Sequence, residues 1–378
     1  MAEDIVSVVM LDRNNVVQAE IGLENAARDF TSLSYVKKVS GWGSFSGAVI
    51  WGDSPYAEMM QPNYRIVVMR QPIGNINRIQ DFAGFIRRVE YTTPASDIDT
   101  IQIWGRGIGS ILGKYQIIPD SGSAYEIQTG KADDVVKAYV RHCCLEDPDR
   151  VFPNFEVAGD RGESEYSDTW EARYERLHEY TRTIRDQAND FDYMVTLSND
   201  FSTFTFETAS PQIGRDLRIN NPEGNDPLIY SLVNGNMSDP RYWRVGFDGA
   251  TEVAVLGQGS QEDRVIVNVR DTDLEETWGY HGIRIDRQDL DETGQLTAEG
   301  QAVLENQKPR EGFVFQPTET LGTRYYTDWR LGDQVTGQYL DIEADFMIEE
   351  IRFVISSTQL EVKTPKLRQT SEIREITA

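Results

Sequence analysis

Short apolar runs, and over 35–50 an alternation of large with small or polar side chains, make the first ~115 residues read as strands and turns. Ile5–Leu11 reads as a short apolar strand, and Asp12-Arg13-Asn14-Asn15 as a turn of residues that tolerate the left-handed backbone. Extended patterning resumes over 16–21. Residues 35–50 read as one half-buried strand, ended by Gly52-Asp53-Ser54-Pro55, and further strands follow over 64–70, 82–91 and 100–105. Short strands with Gly, Pro, Asn and Asp punctuation indicate a small barrel or sandwich.

From ~125 the period changes. Ala132, Val135, Val136, Tyr139, Val140, Cys143 and Cys144 step by three and four, an apolar helical stripe that runs out before Pro148. The two cysteines are then core residues of its last turn. After a polar stretch, Trp170, Tyr174, Leu177, Thr181, Ile184, Ala188 and Phe191 predict a second helix, and 193–197 with 201–206 predict a hairpin. Strands return at 243–247, 252–257 and 264–269. A single helix is expected from Thr297, whose hydroxyl can cap 298–307, and Pro309 stops it. The last strands are 334–340 and 346–355, and the polar tail 363–378 is expected to fray or to dock on a partner. The fold class is therefore mainly β with an α+β insert: two similar small β-barrel domains, 1–120 and 236–362, flanking and packed with an α+β middle domain, 121–235.

One internal echo bears on that symmetry. Asp81-Phe82 is followed by Ile86-Arg87-Arg88-Val89, and Asp345-Phe346 by Ile351-Arg352-Phe353-Val354, with a gap one residue longer in the second copy. Each copy follows a strand and a turn, as expected if two similar barrels flank the insert.

Charge narrows the function classes. Among 378 residues, 62 acids against 37 bases give a formal net charge of −25, a field that repels nucleic acid and anionic membranes. No apolar run reaches bilayer-spanning length, and Met1-Ala2-Glu3-Asp4 does not resemble a signal peptide. Adjacent Cys143 and Cys144 cannot staple distant segments, and His142, His178 and His281 are too few for a Cys/His zinc site, while a metal held by carboxylates stays open.

Motifs that look like chemistry fall short. Gly105-Arg106-Gly107-Ile108-Gly109 follows a strand but lacks dinucleotide-loop spacing and reads as a flexible turn. Gly109-Ser110-Ile111-Leu112-Gly113-Lys114 is one residue short of a phosphate-binding loop, with Tyr115 where a magnesium-holding hydroxyl belongs. Asp289-Leu290-Asp291-Glu292-Thr293-Gly294 opens like a calcium loop, but Gly300 stands where the closing acid should be. Candidate carboxylate pairs are too numerous to mark a glycosidase site. Trp42, Trp51, Trp104, Trp243, Trp278 and Trp329 could stack on sugars, but barrel cores use Trp as well and the core reading is preferred. No catalytic site, cofactor site or metal site is assigned.

Several phrases in order resemble the baseplate or tail-tip hub proteins of long-tailed phages, in particular the Gp37-like family of siphophages. They are Gly41-Trp42-Gly43-Ser44-Phe45-Ser46-Gly47, Tyr64-Arg65-Ile66-Val67-Val68 and Phe82-Ala83-Gly84-Phe85-Ile86. Asn234-Gly235-Asn236, then the run from Tyr325-Tyr326-Thr327-Asp328-Trp329 to Val335, and Met347-Ile348-Glu349-Glu350-Ile351 complete the series. The resemblance implies a structural, non-enzymatic protein of the virion tail, made in the host cytoplasm. It implies a homotrimer in which two barrels per subunit give six around a ring, adapting a sixfold tail tube to a threefold tip. The implied partners are further copies of the chain, a tail tube or distal tail protein, and a tip spike or fibre protein. DNA is expected to pass through an acidic channel without specific binding. The chain carries no appended lytic or spike domain, so wall penetration is expected of another protein. Barrel edges near Trp42, Phe45 and Arg87, and near Trp329, Leu331 and Arg352, are the expected subunit contacts. The competing expectation is a carbohydrate-binding or carbohydrate-cleaving tail protein at the host surface, and a bacterial injection device is a third setting for the same hub.

Overall fold

The computed structural model describes residues 4–22, 30–50, 57–93, 99–246, 249–356 and 361–376. Trp51, the turn at 52–55 and Phe247 lie outside the described residues. Strands dominate. The first region holds β1 (Ile5–Leu11), β2 (Val17–Gly22), β3 (Phe30–Lys38), β4 (Ser44–Ile50), β5 (Arg65–Gln71), β6 (Ile79–Thr92) and β7 (Thr100–Gly107). Next come β8 (Glu126–Lys131), α1 (Ala132–Arg141), β9 (Phe155–Val157), β10 (Ser167–Ala172), α2 (Leu177–Ala188), β11 (Asp192–Leu197) and β12 (Phe204–Ala209). They are followed by β13 (Asp216–Leu217), β14 (Ile229–Ser231), β15 (Met237–Val245), β16 (Glu252–Leu256), β17 (Ile266–Arg270), α3 (Thr272–Trp278) and β18 (Gly282–Asp286). The chain finishes with α4 (Thr293–Gln307), β19 (Arg310–Pro317), β20 (Gln334–Tyr339), β21 (Ile342–Ser356), β22 (Glu361–Gln369) and β23 (Arg374–Glu375).

Two compact units share these elements: 1–237, 317–338 and 345–371 form one, and 238–316, 339–344 and 372–378 the other. In the first, strands from both ends of the chain enter one sheet, whose main path runs β13-β20-β21-β3-β4-β7-β6-β5-β1-β2. The junction is the antiparallel pair β3–β21, from Lys38 opposite Glu350 to Ser32 opposite Ser356. The first and last β regions are thus joined by a hydrogen-bonded ladder, which alternation within either region does not reveal.

Within that sheet two hairpins, β5–β6 and β20–β21, repeat the same local construction. The Ile86 N–H donates to the Tyr64 carbonyl at 2.8 Å, and the Ile86 carbonyl accepts from Asn63 N–H at 2.8 Å. The Ile348 N–H likewise donates to the Asp333 carbonyl at 3.0 Å, and its carbonyl accepts from Gly332 N–H at 2.9 Å. Asn63 and Gly332 both hold left-handed φ, at 69° and 88°. Immediately afterwards each strand bulges against its next neighbour: between Ile86 and Arg88 facing β7, and between Ile348 and Glu350 facing β22. Ile86 therefore corresponds to Ile348, and the bulge residue Arg87 to Glu349. The sequence echo, which pairs Ile86 with Ile351 and Arg87 with Arg352, locates the repeat but slips its register by three residues.

Several elements depart from the sequence expectation. Residues 35–50 are two strands, because Ser40 and Gly43 take φ of 49° and 61° and turn the chain. Trp170 is on β10 and Tyr174 has φ 66°, so the second helix begins only at Leu177. The helix α4 starts at Thr293, and the Thr297 hydroxyl donates to the Thr293 carbonyl inside it instead of capping its start. The short helix α3 was not foreseen; Asp271 caps it, accepting from the Asp273 and Leu274 N–H groups. Residues 363–369 of the expected tail lie in β22, antiparallel to β21.

The first unit also contains the α+β part. Its core gathers Val135, Val136, Tyr139, Val140, Cys143 and Cys144 with Leu177, Ile184, Tyr193, Phe204 and Phe206, and with Phe85 and Ile111 of the first region. Burial pushes the Cys143 thiol up to about 12 and Cys144 further, so both behave as small core residues. The second unit has its own small core, in which Leu296 and Leu304 of α4 pack on Val253 and Val255 of β16. No helix among the described residues is long and apolar enough to cross a membrane.

Candidate functional site

Two charged constellations dominate the first unit. The buried one centres on Asp81, which accepts from Tyr35 Oη and Tyr325 Oη at 2.6 Å and from Lys37 Nζ and Arg70 Nε at 2.8 Å. Arg70, wholly buried, also pairs with Asp4 at 2.7 Å and Glu361 at 2.5 Å. Its guanidinium lies 5.3 Å from the Tyr325 ring centroid and 5.1 Å from that of Phe353. Lys363 joins Asp4, Glu361 and Glu319. Burial alone would raise the Asp81 pKa, but the Lys37 and Arg70 charges with hydrogen bonds from Lys37 and Tyr325 outweigh it and hold it far below the carboxylate range. Desolvation and the Asp81 charge push both tyrosines well up. Every strong donor and acceptor here is satisfied by another, so the constellation ties chain segments together. It offers no poised acid, base or nucleophile.

The second constellation is built on glycines. A Cβ on Gly107 would sit 1.7 Å from the Trp42 carbonyl, and one on Gly105 2.2 Å from the Phe45 ring. The run expected as a flexible turn is instead the end of β7 followed by a buried 3-10 turn (Ile108–Lys114), bared so that the Trp42–Phe45 segment can lie against it. Trp42 packs against His178 with centroids 4.0 Å apart and the rings tilted by 39°, and Arg106 lies over its ring at 5.5 Å. Burial lowers the His178 pKa to about 4, keeping that imidazole neutral.

Beside Trp42 the cations accumulate. Arg65, Arg87 and Lys114 all approach the Phe85 ring, at 5.3, 5.2 and 5.1 Å from its centroid. Among the described residues none of Arg65, Arg87, Arg106 and Lys114 forms an ion pair. Arg87 Nη1 donates instead to Asn63 Oδ1 at 2.8 Å. Partial loss of solvent, then the neighbouring charges of Arg87 and Arg65, lower Lys114 to about 8. Lys114 also lines a groove of about 630 Å³ with Tyr115, Gln116, Ile118, Arg150 and Arg176, a wall with three cations and no carboxylate among the described residues. Arg150 and Arg176 are paired with Asp147 and Glu179, so in a protein of net charge −25 the cations without a carboxylate partner among the described residues are those gathered near Trp42 and Phe85.

Of the six expected contact residues, Trp42 and Arg87 belong to this face. Phe45 and Trp329 are 3% exposed and held internally, Phe45 against Phe82 and Trp329 against Tyr325, its Nε1–H donating to the Thr323 carbonyl. Their side chains serve the subunit's own core and are not free for another chain. Leu331 is half-buried, and Arg352 is exposed on β21. Sequence reading missed Arg65, Arg106 and Lys114, since only the fold gathers them around Phe85. Of the other tryptophans, Trp104 lies under Arg88, Trp278 under Arg244, and Trp243 is 42% exposed.

Comparisons with known proteins agree with this architecture. A family model described as Siphovirus ReqiPepy6 Gp37-like protein matches residues 15–365. The 43 kDa tail protein of prophage MuSo2 from Shewanella oneidensis superposes with a TM-score of 0.51 at 12% identity, covering 97% of this chain and 98% of that one. A tail protein from Neisseria meningitidis MC58 gives 0.50 at 14%, covering 97% of each chain. A chain of a Francisella PdpA–VgrG complex gives 0.52 at 10%, covering all of this chain and 60% of its own. At these identities the likeness shows the fold. No curated protein matches the sequence.

Proposed function

Because the chain belongs to the Gp37-like family of siphovirus proteins and is a phage tail protein, we propose that it works without turnover as the hub joining tail tube to tail tip. The observation that carries this reading is the internal repeat. Each chain presents two hairpins closed by the same pair of main-chain bonds and followed by the same bulge. Three chains around a threefold axis then present six such hairpins. That number matches a sixfold tube on one face, while the threefold face receives a spike or fibre.

Charge assigns further parts. The excess of acids, facing a central channel, repels DNA phosphates and lets the genome pass without adhering. The positive face around Arg87, Arg106 and Lys114, backed by buried Arg65, meets an acidic surface on the neighbouring subunit or tube protein, fixing the register of assembly.

Negative-stain microscopy of the purified protein, alone and mixed with its tail tube protein, tests the proposal. Rings with a central hole and six peripheral lobes are expected. Particles with neither ring nor threefold symmetry in both samples contradict it.

A further inference from the structure

The geometry points to a divalent transition-metal site, with zinc as its natural ion, held by Asp120, Glu126 and His142 in the middle region. This inference is independent of the hub reading. One ligand atom from each of the three lies within 4.8 Å of the others. His142 Nε2 is 3.8 Å from Glu126 Oε2 and 2.8 Å from the Ile118 carbonyl oxygen, which supplies a fourth donor. An imidazole with two carboxylates and a carbonyl is a donor set for zinc, whose bonds to N and O are about 2.0–2.2 Å.

Surrounding groups orient the ligands as a metal site requires. His142 is 8% exposed, and its Nδ1 lies 3.7 Å from Glu146 Oε2, an outer carboxylate on the side of the ring away from the other donors. Gln128 Nε2 donates to Glu126 Oε1 at 2.7 Å, leaving Oε2 turned to the imidazole, and Tyr139 Oη donates to the Glu126 carbonyl at 3.2 Å. The countercharge is missing: among the described residues Asp120, Glu126 and Glu146 form no ion pair with any Lys or Arg, so three carboxylates face one imidazole. The helix α1 also ends in a π turn at His142–Glu146, the distortion that sets His142 and Glu146 on this side. A bound ion staples the 116–126 segment to the end of α1.

Calorimetric titration of zinc chloride into the full chain, stripped with EDTA, reads the site, with magnesium chloride as the hard-ion control. One saturable zinc event per chain is expected, with a raised Tm and no comparable response to magnesium. His142→Ala and Asp120→Asn should each weaken zinc binding by at least about tenfold. Asp120 is exposed, so its variant keeps the fold and remains interpretable if His142→Ala does not. No saturable zinc event, an equal response to magnesium, or unaltered zinc affinity in Asp120→Asn overturns the assignment.

Discussion

At the scale of single residues, Asp81 has the largest effect on stability. Removing one member of a buried charge network leaves the others unpaired, so Asp81→Asn should cost about 3–5 kcal/mol, read as a lowered denaturant midpoint at constant slope. Its pH dependence has a definite sign. The folded pKa lies below the unfolded one, so the stabilisation is full above the usual carboxylate range and is lost as pH falls below about 4. Asp81→Asn should flatten that acid limb. Lys114 behaves in the opposite sense for assembly: its charge disappears as pH rises through about 8, so docking of an acidic partner should weaken between about pH 7 and 9. In Lys114→Glu docking should fail at every pH. Of these two residues the sequence marks the first through the echo and the second only as the end of a rejected phosphate-loop motif. It gives no sign of the partners of either, because Tyr35, Lys37, Tyr325 and Glu361 are brought to Asp81 by the sheet alone.

At the scale of elements, the matching of Ile86 with Ile348 can be tested directly. Both are buried at 1% exposure or less, and Ile86→Ala and Ile348→Ala should each cost about 2–5 kcal/mol. Arg87→Glu and Arg352→Glu are exposed changes on strands and should leave monomer stability within about 0.5 kcal/mol. Because Arg87 corresponds to Glu349, the two arginine variants should differ in their effect on assembly, which sedimentation measures. Gly107→Ala drives a methyl into the Trp42 carbonyl and should destabilise by about 1–3 kcal/mol or more. β7, with one buried face, was legible from alternation, and β1 and β5, buried on both faces, from their apolar runs. Trp170 misled because its spacing to Tyr174 and Leu177 fits a helical period while Trp170 and Ala172 also fit a strand face. The strand β22 was hidden because its side chains stay polar and half-exposed, and α3 because seven residues with no buried side chain leave no apolar stripe.

At the scale of the whole molecule, composition predicted mutual repulsion, and the fold adds one positive face to oppose it. Both are electrostatic, so salt acts twice: it screens the repulsion between acidic subunits and weakens the specific attraction at the basic face. If general repulsion at net charge −25 outweighs that attraction, assembly should strengthen with salt. The most direct test of the hub is the solution mass by light scattering, at physiological and at high salt. A mass three times the 43.0 kDa of one chain, in at least one buffer, is the predicted result. A single-chain mass in both buffers contradicts it.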